Sequence, residues 1–183
     1  MESIKGKLRH YNVDFYLGQF AWPTERLTIK QFHEKKHGKY DFLEKCHSYV
    51  QWLFPNQHKS NFNYHSYPLS VEEREEFRQN EAIGANLIKS YAIYADFMGA
   101  QIVNLETGEL KLSNEKRLYD VLFIHRHNHL RLTRIMACLS QTGFRCYATS
   151  LIHFLHKKIN SDKKLEDIKR IFELKWQSYD DDK

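Results

Sequence analysis

The stretch Asp41–Gln57, DFLEKCHSYVQWLFPNQ, gathers two phenylalanines, a tyrosine, a tryptophan, a histidine and a cysteine around a proline stop. At helical spacing Tyr40, Leu43, Val50 and Phe54 share one stripe, and Phe42, Cys46, Tyr49 and Leu53 widen the apolar arc to about half the circumference. A helix that apolar belongs deep in a bundle, and Pro55 would end it, because proline disfavours helical geometry in the residue before it. The spacing therefore predicts one helix over 40–54. Its remaining arc holds Asp41, Glu44, Lys45, Ser48, Gln51 and Trp52, with His47 at the border. Glu44, His47 and Gln51 are neighbours by i,i+3 and i,i+4 spacing, and Trp52 flanks them. Two readings fit these residues. One is a satisfied packing network in which His47 bonds Glu44 or a carbonyl. The other is a recognition wall, with Trp52 as platform and Glu44, His47 and Gln51 as hydrogen-bonding groups.

Working outward, Ser70 and Glu73 in PLSVEEREEF form a capping box ahead of a helix that runs towards Gly99, its natural stop. Gly84 weakens its middle, so one helix or two are compatible with the pattern. Next, Ile102, Val103 and Leu105 face Leu110 and Leu112 across a turn at Thr107–Gly108, which predicts a short β-hairpin near residues 101–112. A ribbon of two strands needs a helix to lean on. SNEKRLYDVLFIHRH reads as a further helix. Asn128 is placed to cap HLRLTRIMACLSQTG, with Leu132, Ile135, Met136 and Leu139 as its apolar stripe. SLIHFLHKKI and LEDIKRIFELKW add two more helices, and the acidic end within 161–183 reads as a frayed tail. The expected fold class is mostly α: one domain over 1–183, a multi-helix bundle with one short hairpin.

At 183 residues with 42% hydrophobic content, the chain suits a single core, and only three prolines and seven glycines leave little room for linkers. No apolar run approaches the roughly 18 residues of a membrane helix, and the N-terminus has no signal-peptide core. Cytoplasmic residence without membrane insertion is the expectation. The three cysteines, Cys46, Cys138 and Cys146, form no CxxC pair, which argues against a disulfide framework or a cysteine zinc site. The net charge of +5 is segregated: residues 113–160 hold eight Lys/Arg against two Asp/Glu, whereas residues 40–112 hold six against ten. The basic block would attract phosphate, nucleic acid or an acidic peptide, or else would be a solvated face complementing the acidic block.

Four ordered stretches carry a family likeness. YDFLEKCHSYVQWLFP resembles the signature DYDxLExxHxYIQWLFP of the opioid growth factor receptor conserved region, with Val50 at the isoleucine position. NVDFYLG, LIKSYAIYADFMGAQIVNLETGEL and HNHLRLTRIMACLSQTGF are similar to three further family elements, so the likeness covers roughly residues 12–155. Lys39 and His129 depart from it, standing where the family has Asp and Asn. The resemblance is to a short member without the repeat-rich tail of vertebrate relatives. It implies binding of an enkephalin-type peptide and growth regulation, and it assigns no catalytic residue.

The remaining constellations each admit more than one reading. His125, His127 and His129 alternate in HRHNH; on a strand they would share a face and suit a metal, but on a helix they diverge, so a polar interhelical turn is the expectation and no metal is assigned. Arg131 and Arg134 form a fork for a carboxylate or phosphate, or else bridge to the acidic helix, for instance at Asp96. There is no GxSxG, Gly-rich phosphate loop or HExxH, and no cofactor is expected. The leading expectation is a non-enzymatic module binding a peptide or anionic small ligand through Glu44, His47, Gln51, Trp52, Arg131 and Arg134. Two alternatives stand beside it: nucleic-acid binding through the basic block, and an enzyme acting on a phosphorylated or nucleotide substrate with Glu44, His47, Lys89, Asp96 and Arg131 converging.

Overall fold

The computed structural model describes residues 9–59, 66–161 and 165–176, and among them the chain is mostly α with one two-stranded antiparallel ribbon. The acidic end read as a frayed tail lies outside the described residues. Helices α1 (Tyr11–Tyr16) and α2 (Ile29–Lys36) come first. Thr28 caps α2 through a reciprocal box with Gln31, the threonine oxygen taking the Gln31 N–H and the glutamine oxygen the Thr28 N–H.

The opening stretch is not one helix. Helix α3 (Tyr40–Lys45) ends where Cys46 turns to an extended backbone at φ −81° and ψ 118°, and α4 (Tyr49–Leu53) starts afresh after Ser48. The predicted helix over 40–54 is therefore corrected to two short ones. The local cause is modest: Cys46, His47 and Ser48 are mediocre helix formers. The decisive cause lies across the fold, in a guanidinium described below.

Helix α4 nevertheless occupies the centre. Trp52 is 2% exposed and packs on Phe15 (5.4 Å between ring centres), Phe20 (5.4 Å) and Tyr67 (6.0 Å). Tyr49 stacks on Phe32 of α2, and Phe54 meets Tyr94 edge to face. The Tyr16 hydroxyl donates to the Leu53 carbonyl. Trp52 is thus a core residue, and the platform role considered for it is set aside: with the helix broken at Cys46, Trp52 faces α1 instead of flanking a polar stripe.

The acidic segment forms α5 (Val71–Gln79) and α6 (Glu81–Met98). The capping box at Ser70 and Glu73 is present in both directions, at 3.1 and 3.0 Å. The break falls at Asn80, whose side chain caps α6 by accepting from Ala82 and Ile83, and not at Gly84. Gly84 stays helical; a Cβ there would meet the Phe144 ring at 3.1 Å, so the glycine admits a neighbour. Gly99 closes α6 in the left-handed region at φ 87°. Strands β1 (Ala100–Ile102) and β2 (Leu110–Leu112) pair with Gln101 opposite Lys111.

Helix α7 (Glu115–Tyr119) widens into a π-helical turn at Asp120–Ile124 and leads to α8 (Asn128–Gln141) and α9 (Arg145–Ser161), which pack together. Leu132, Ile135, Met136 and Leu139 are all at or below 1% exposure, as the stripe predicted. The ribbon leans on α9: Tyr147 donates to the Leu105 carbonyl, Ser150 donates to that of Thr107, and the bare Cα of Gly108 seats against the Tyr147 ring. Helix α10 (Glu166–Ile171) and a π-helical turn at Phe172–Trp176 end the described chain on α9 and α8.

Truncating a fully enclosed aromatic leaves a cavity that costs about 3–5 kcal/mol. Trp52→Ala is expected to lower the unfolding free energy by that amount, read as a lower urea midpoint, and to lose the helical circular dichroism with it; an unchanged midpoint would show that Trp52 is not the core residue described.

Candidate functional site

Helix α8 carries the two arginines that organise the site. Arg131 is 6% exposed, and both terminal nitrogens of its guanidinium donate to oxygen. Nη1 donates to the Leu43 carbonyl at 2.8 Å and to Asn128 Oδ1 at 2.9 Å; Nη2 donates to the carbonyls of Glu44 at 2.9 Å and Cys46 at 3.0 Å. His47 Nδ1 stands 3.2 Å from Nη2, an arrangement that requires a lone pair on that nitrogen. These carbonyls are the ones that the break at Cys46 releases from helical pairing. Hydrogen bonds from a charged donor are worth about 1.5–3 kcal/mol each, against about 1 for the backbone bonds forgone, so the clamp outweighs a continuous helix. Gln51 supports the break: with its amide nitrogen turned inward it donates to the carbonyls of His47 at 2.8 Å and Ser48 at 3.1 Å.

Asn128 links this clamp to the Glu44 carboxylate, donating at 3.3–3.5 Å while its oxygen accepts from Arg131. It lies inside α8 as a buried bridge; it is not the cap expected from the sequence. His127 Nε2 is 2.6 Å from Glu44 but is not aligned for a hydrogen bond, and His125 is 3.9 Å away. The His127 ring meets His47 edge to face at 5.1 Å. His129 turns the other way, bonding the Leu122 carbonyl at 2.6 Å. The alternating histidines therefore do not share a face, and among the described residues no group of three or more His, Cys, Asp or Glu is placed to hold a metal ion. Burial lowers the pKa of His47 and of His127, helped by Arg131 and opposed by Glu44; burial also lowers that of His129.

Beside this cluster opens a cleft of about 770 Å³. Val50, Leu130 and Ala137 supply apolar wall, and Leu130 is 55% exposed. The segment after Pro55 supplies Gln57, His58 and Lys59; it is tied to α8 by the Gln57 N–H donating to Gln141 Oε1 at 3.1 Å. Arg134 reaches in from α8. Its Nε donates to the Phe54 carbonyl at 2.8 Å, capping the end of α4, and burial pushes its pKa down to about 10, which still leaves it charged at neutral pH. Its terminal nitrogens have no hydrogen-bond partner among the described residues, where no Asp or Glu lines the cleft.

The structure thus brings Glu44, His47, Gln51, Arg131 and Arg134 around one cleft and break, and leaves three candidates elsewhere. Trp52 is in the core. Lys89 is exposed on α6, in the neighbourhood of His33. Asp96 accepts from the Tyr40 hydroxyl at 2.9 Å and stands 3.5 Å from His37, so the bridge from Asp96 to the arginines does not form; both guanidinium groups are engaged by carbonyls instead. His58, Lys59 and Gln141 were missed from sequence, because a short polar loop after a proline and a glutamine at a helix end carry no periodic signal. The basic block does not form one stripe either: Arg117 covers Tyr40, while Arg131 and Arg134 turn inward.

A sequence match to the opioid growth factor receptor (OGFr) conserved region spans residues 5–179. The chain is 29% identical over 160 residues to the opioid growth factor receptor of Mus musculus, covering 87% of this chain and 25% of that protein. The Homo sapiens receptor is 30% identical over 144 residues, 78% of this chain and 21% of its own length. Opioid growth factor receptor-like protein 1 of Mus musculus is 25% identical over 159 residues, 87% of this chain and 34% of its own. The chain therefore spans about a third or less of these relatives. No solved structure matches.

Removing Arg131 strands three carbonyls, one buried and two partly so, and Arg131→Met is expected to cost about 3–5 kcal/mol in urea unfolding. Arg131→Lys should recover little of it, because one ammonium cannot replace a planar fork; full recovery would show that charge alone matters. A second outcome concerns pH. His33, bonded to Ser90 at 2.9 Å, has its pKa lowered by burial from 6.5 to about 4. The unfolded chain takes up that proton near 6.5 and the folded chain only near 4, so stability present above the first value is lost as pH falls towards the second. His47, His127 and His129 act in the same direction. Unfolding midpoints between pH 7 and about 4 should fall accordingly, and His33→Gln should flatten the slope.

Proposed function

The chain belongs to the opioid growth factor receptor conserved-region family, and from that premise we propose that it is a non-enzymatic binding module whose α8 cleft receives the anionic end of a peptide. The carrying observation is Arg134: its Nε is fixed on the Phe54 carbonyl while its terminal nitrogens, without partners among the described residues, line a cleft containing no carboxylate there. A guanidinium held at one corner with a free edge suits a carboxylate, which it can meet bidentately. Lys59 adds charge at the same cleft and His58 a ring nitrogen, Leu130 and Val50 offer apolar contact, and the Gln141 amide is placed to meet a peptide backbone. The relatives are named as receptors for an opioid growth factor, which makes a short enkephalin-type peptide the first ligand to try.

Calorimetric titration should show saturable binding of such a peptide with a free C-terminal carboxylate and at least about tenfold weaker binding of its C-terminal amide. Arg134→Gln should abolish that difference. Lys59→Gln, which removes a charge at an exposed position, should weaken the carboxylate form alone. Equal affinity for both peptides, or none for either, would overturn the reading.

A further inference from the structure

A second groove, of about 590 Å³, opens where the end of α2 meets the start of α3 and helix α7. Four cations line it, Lys35, Lys36, Lys39 and Arg117, together with the rings of Tyr40 and Phe42 and one carboxylate, Asp41. Two of the cations are held in place by aromatic faces. The Arg117 guanidinium lies 3.8 Å from the Tyr40 ring centre, and that ring is itself fixed by its hydroxyl donating to Asp96 at 2.9 Å. Lys36 Nζ sits 3.7 Å from the Phe42 ring centre and pairs with Glu25 at 3.0 Å.

Of the four, Lys36 alone is neutralised among the described residues. Among the described residues Lys35, Lys39 and Arg117 have no carboxylate within ion-pair distance, and the side-chain N–H donors of Arg117 have no acceptor. This is the reverse of Arg131, whose donors are occupied by backbone. The dipole of α2 accounts for Lys35 and Lys36 in its last turn, but not for Lys39 or for Arg117, which comes from a different helix. A guanidinium stacked on a fixed ring with its edge free is a preorganised donor, and ordering it costs a ligand little.

We propose that this groove binds a phosphate monoester. Three unpaired cations against one carboxylate leave a charge that a phosphate of about −1.5 to −2 neutralises. The planar fork of Arg117 would meet two phosphate oxygens while Lys35 and Lys39 act as point charges on the others. The ring faces of Tyr40 and Phe42 are already covered by cations, so recognition is directed at the phosphate and not at a stacked base. A soluble phosphorylated molecule and a phosphorylated lipid headgroup both present this chemistry.

The test uses the full chain at low ionic strength, where exposed charges are least screened. Inorganic phosphate should bind saturably, and Arg117→Gln should weaken it by at least about tenfold. Lys39→Gln, at an exposed position, should weaken it as well, so the outcome does not rest on one variant. Sedimentation with phosphatidylcholine vesicles carrying a phosphorylated inositol lipid, lost in Arg117→Gln, would support the site with a headgroup as its source. Phosphate binding without vesicle retention would support it with a soluble ester. Absence of saturable phosphate binding, or binding undiminished in both Arg117→Gln and Lys39→Gln, would overturn it.

Discussion

A buried guanidinium has to be answered by acceptors, and in this protein the acceptors are the backbone of the segment that the sequence marks most strongly. Arg131 takes the carbonyls of Leu43, Glu44 and Cys46. That requirement breaks the helix at Cys46, and the break in turn rotates α4 so that Trp52 faces α1 while Gln51 and His47 face α8. Without the break, an unrelieved helix over 40–54 would place Trp52 beside the polar groups. The position of the core tryptophan and the existence of the cleft are thus both consequences of one side chain's donor count.

The two arginines of α8 show how a three-residue spacing yields different chemistry. Arg131 meets the open end of α3 and the turn beyond it, and every terminal nitrogen finds an acceptor. Arg134 meets the end of α4, where a single carbonyl is within reach of Nε. Each caps a helix C-terminus, a place where the dipole welcomes a cation. Only the second retains donors pointing into open space. The electrostatic character of the cleft therefore comes from an arginine with a structural role that does not exhaust its hydrogen-bonding capacity.

Much of the fold was legible because it rests on short-range rules. The capping box at Ser70, the stop at Gly99, the hairpin around Gly108 and the stripe on α8 each follow from spacing alone. The box at Thr28 and Gln31 offered the same kind of signal for α2, in a segment where no helix was predicted. What spacing could not show is where a long-range donor cancels a local preference. Residues 40–54 are apolar enough to propagate a helix, and nothing within them announces that Arg131, more than eighty positions later, will take their carbonyls. The pairing of Glu44 and His47 with α8 was legible in outline. That the arginines would bind main chain and leave Asp96 to Tyr40 was not, since a sequence displays carboxylates and hides carbonyls.

Each residue of QWLFP, the motif that carries the family likeness, has a defined structural place. Gln51 ties off the carbonyls at the break, and Trp52 fills the space between α1 and α4. The Leu53 carbonyl receives the Tyr16 hydroxyl, the Phe54 carbonyl receives Arg134, and Pro55 is buried at the exit. Every member serves packing or backbone pairing, so the motif is a signature of architecture. Of the motif only Gln51 also reaches the open cleft, whose other groups come from the turn that follows, Gln57 to Lys59, and from α8 at Leu130, Arg134 and Gln141. Loop positions of this kind are where ligand preference is free to change without disturbing a core. A shared QWLFP element therefore argues for a shared scaffold, and the choice of ligand rests on the turn just beyond it and on the α8 residues that face that turn.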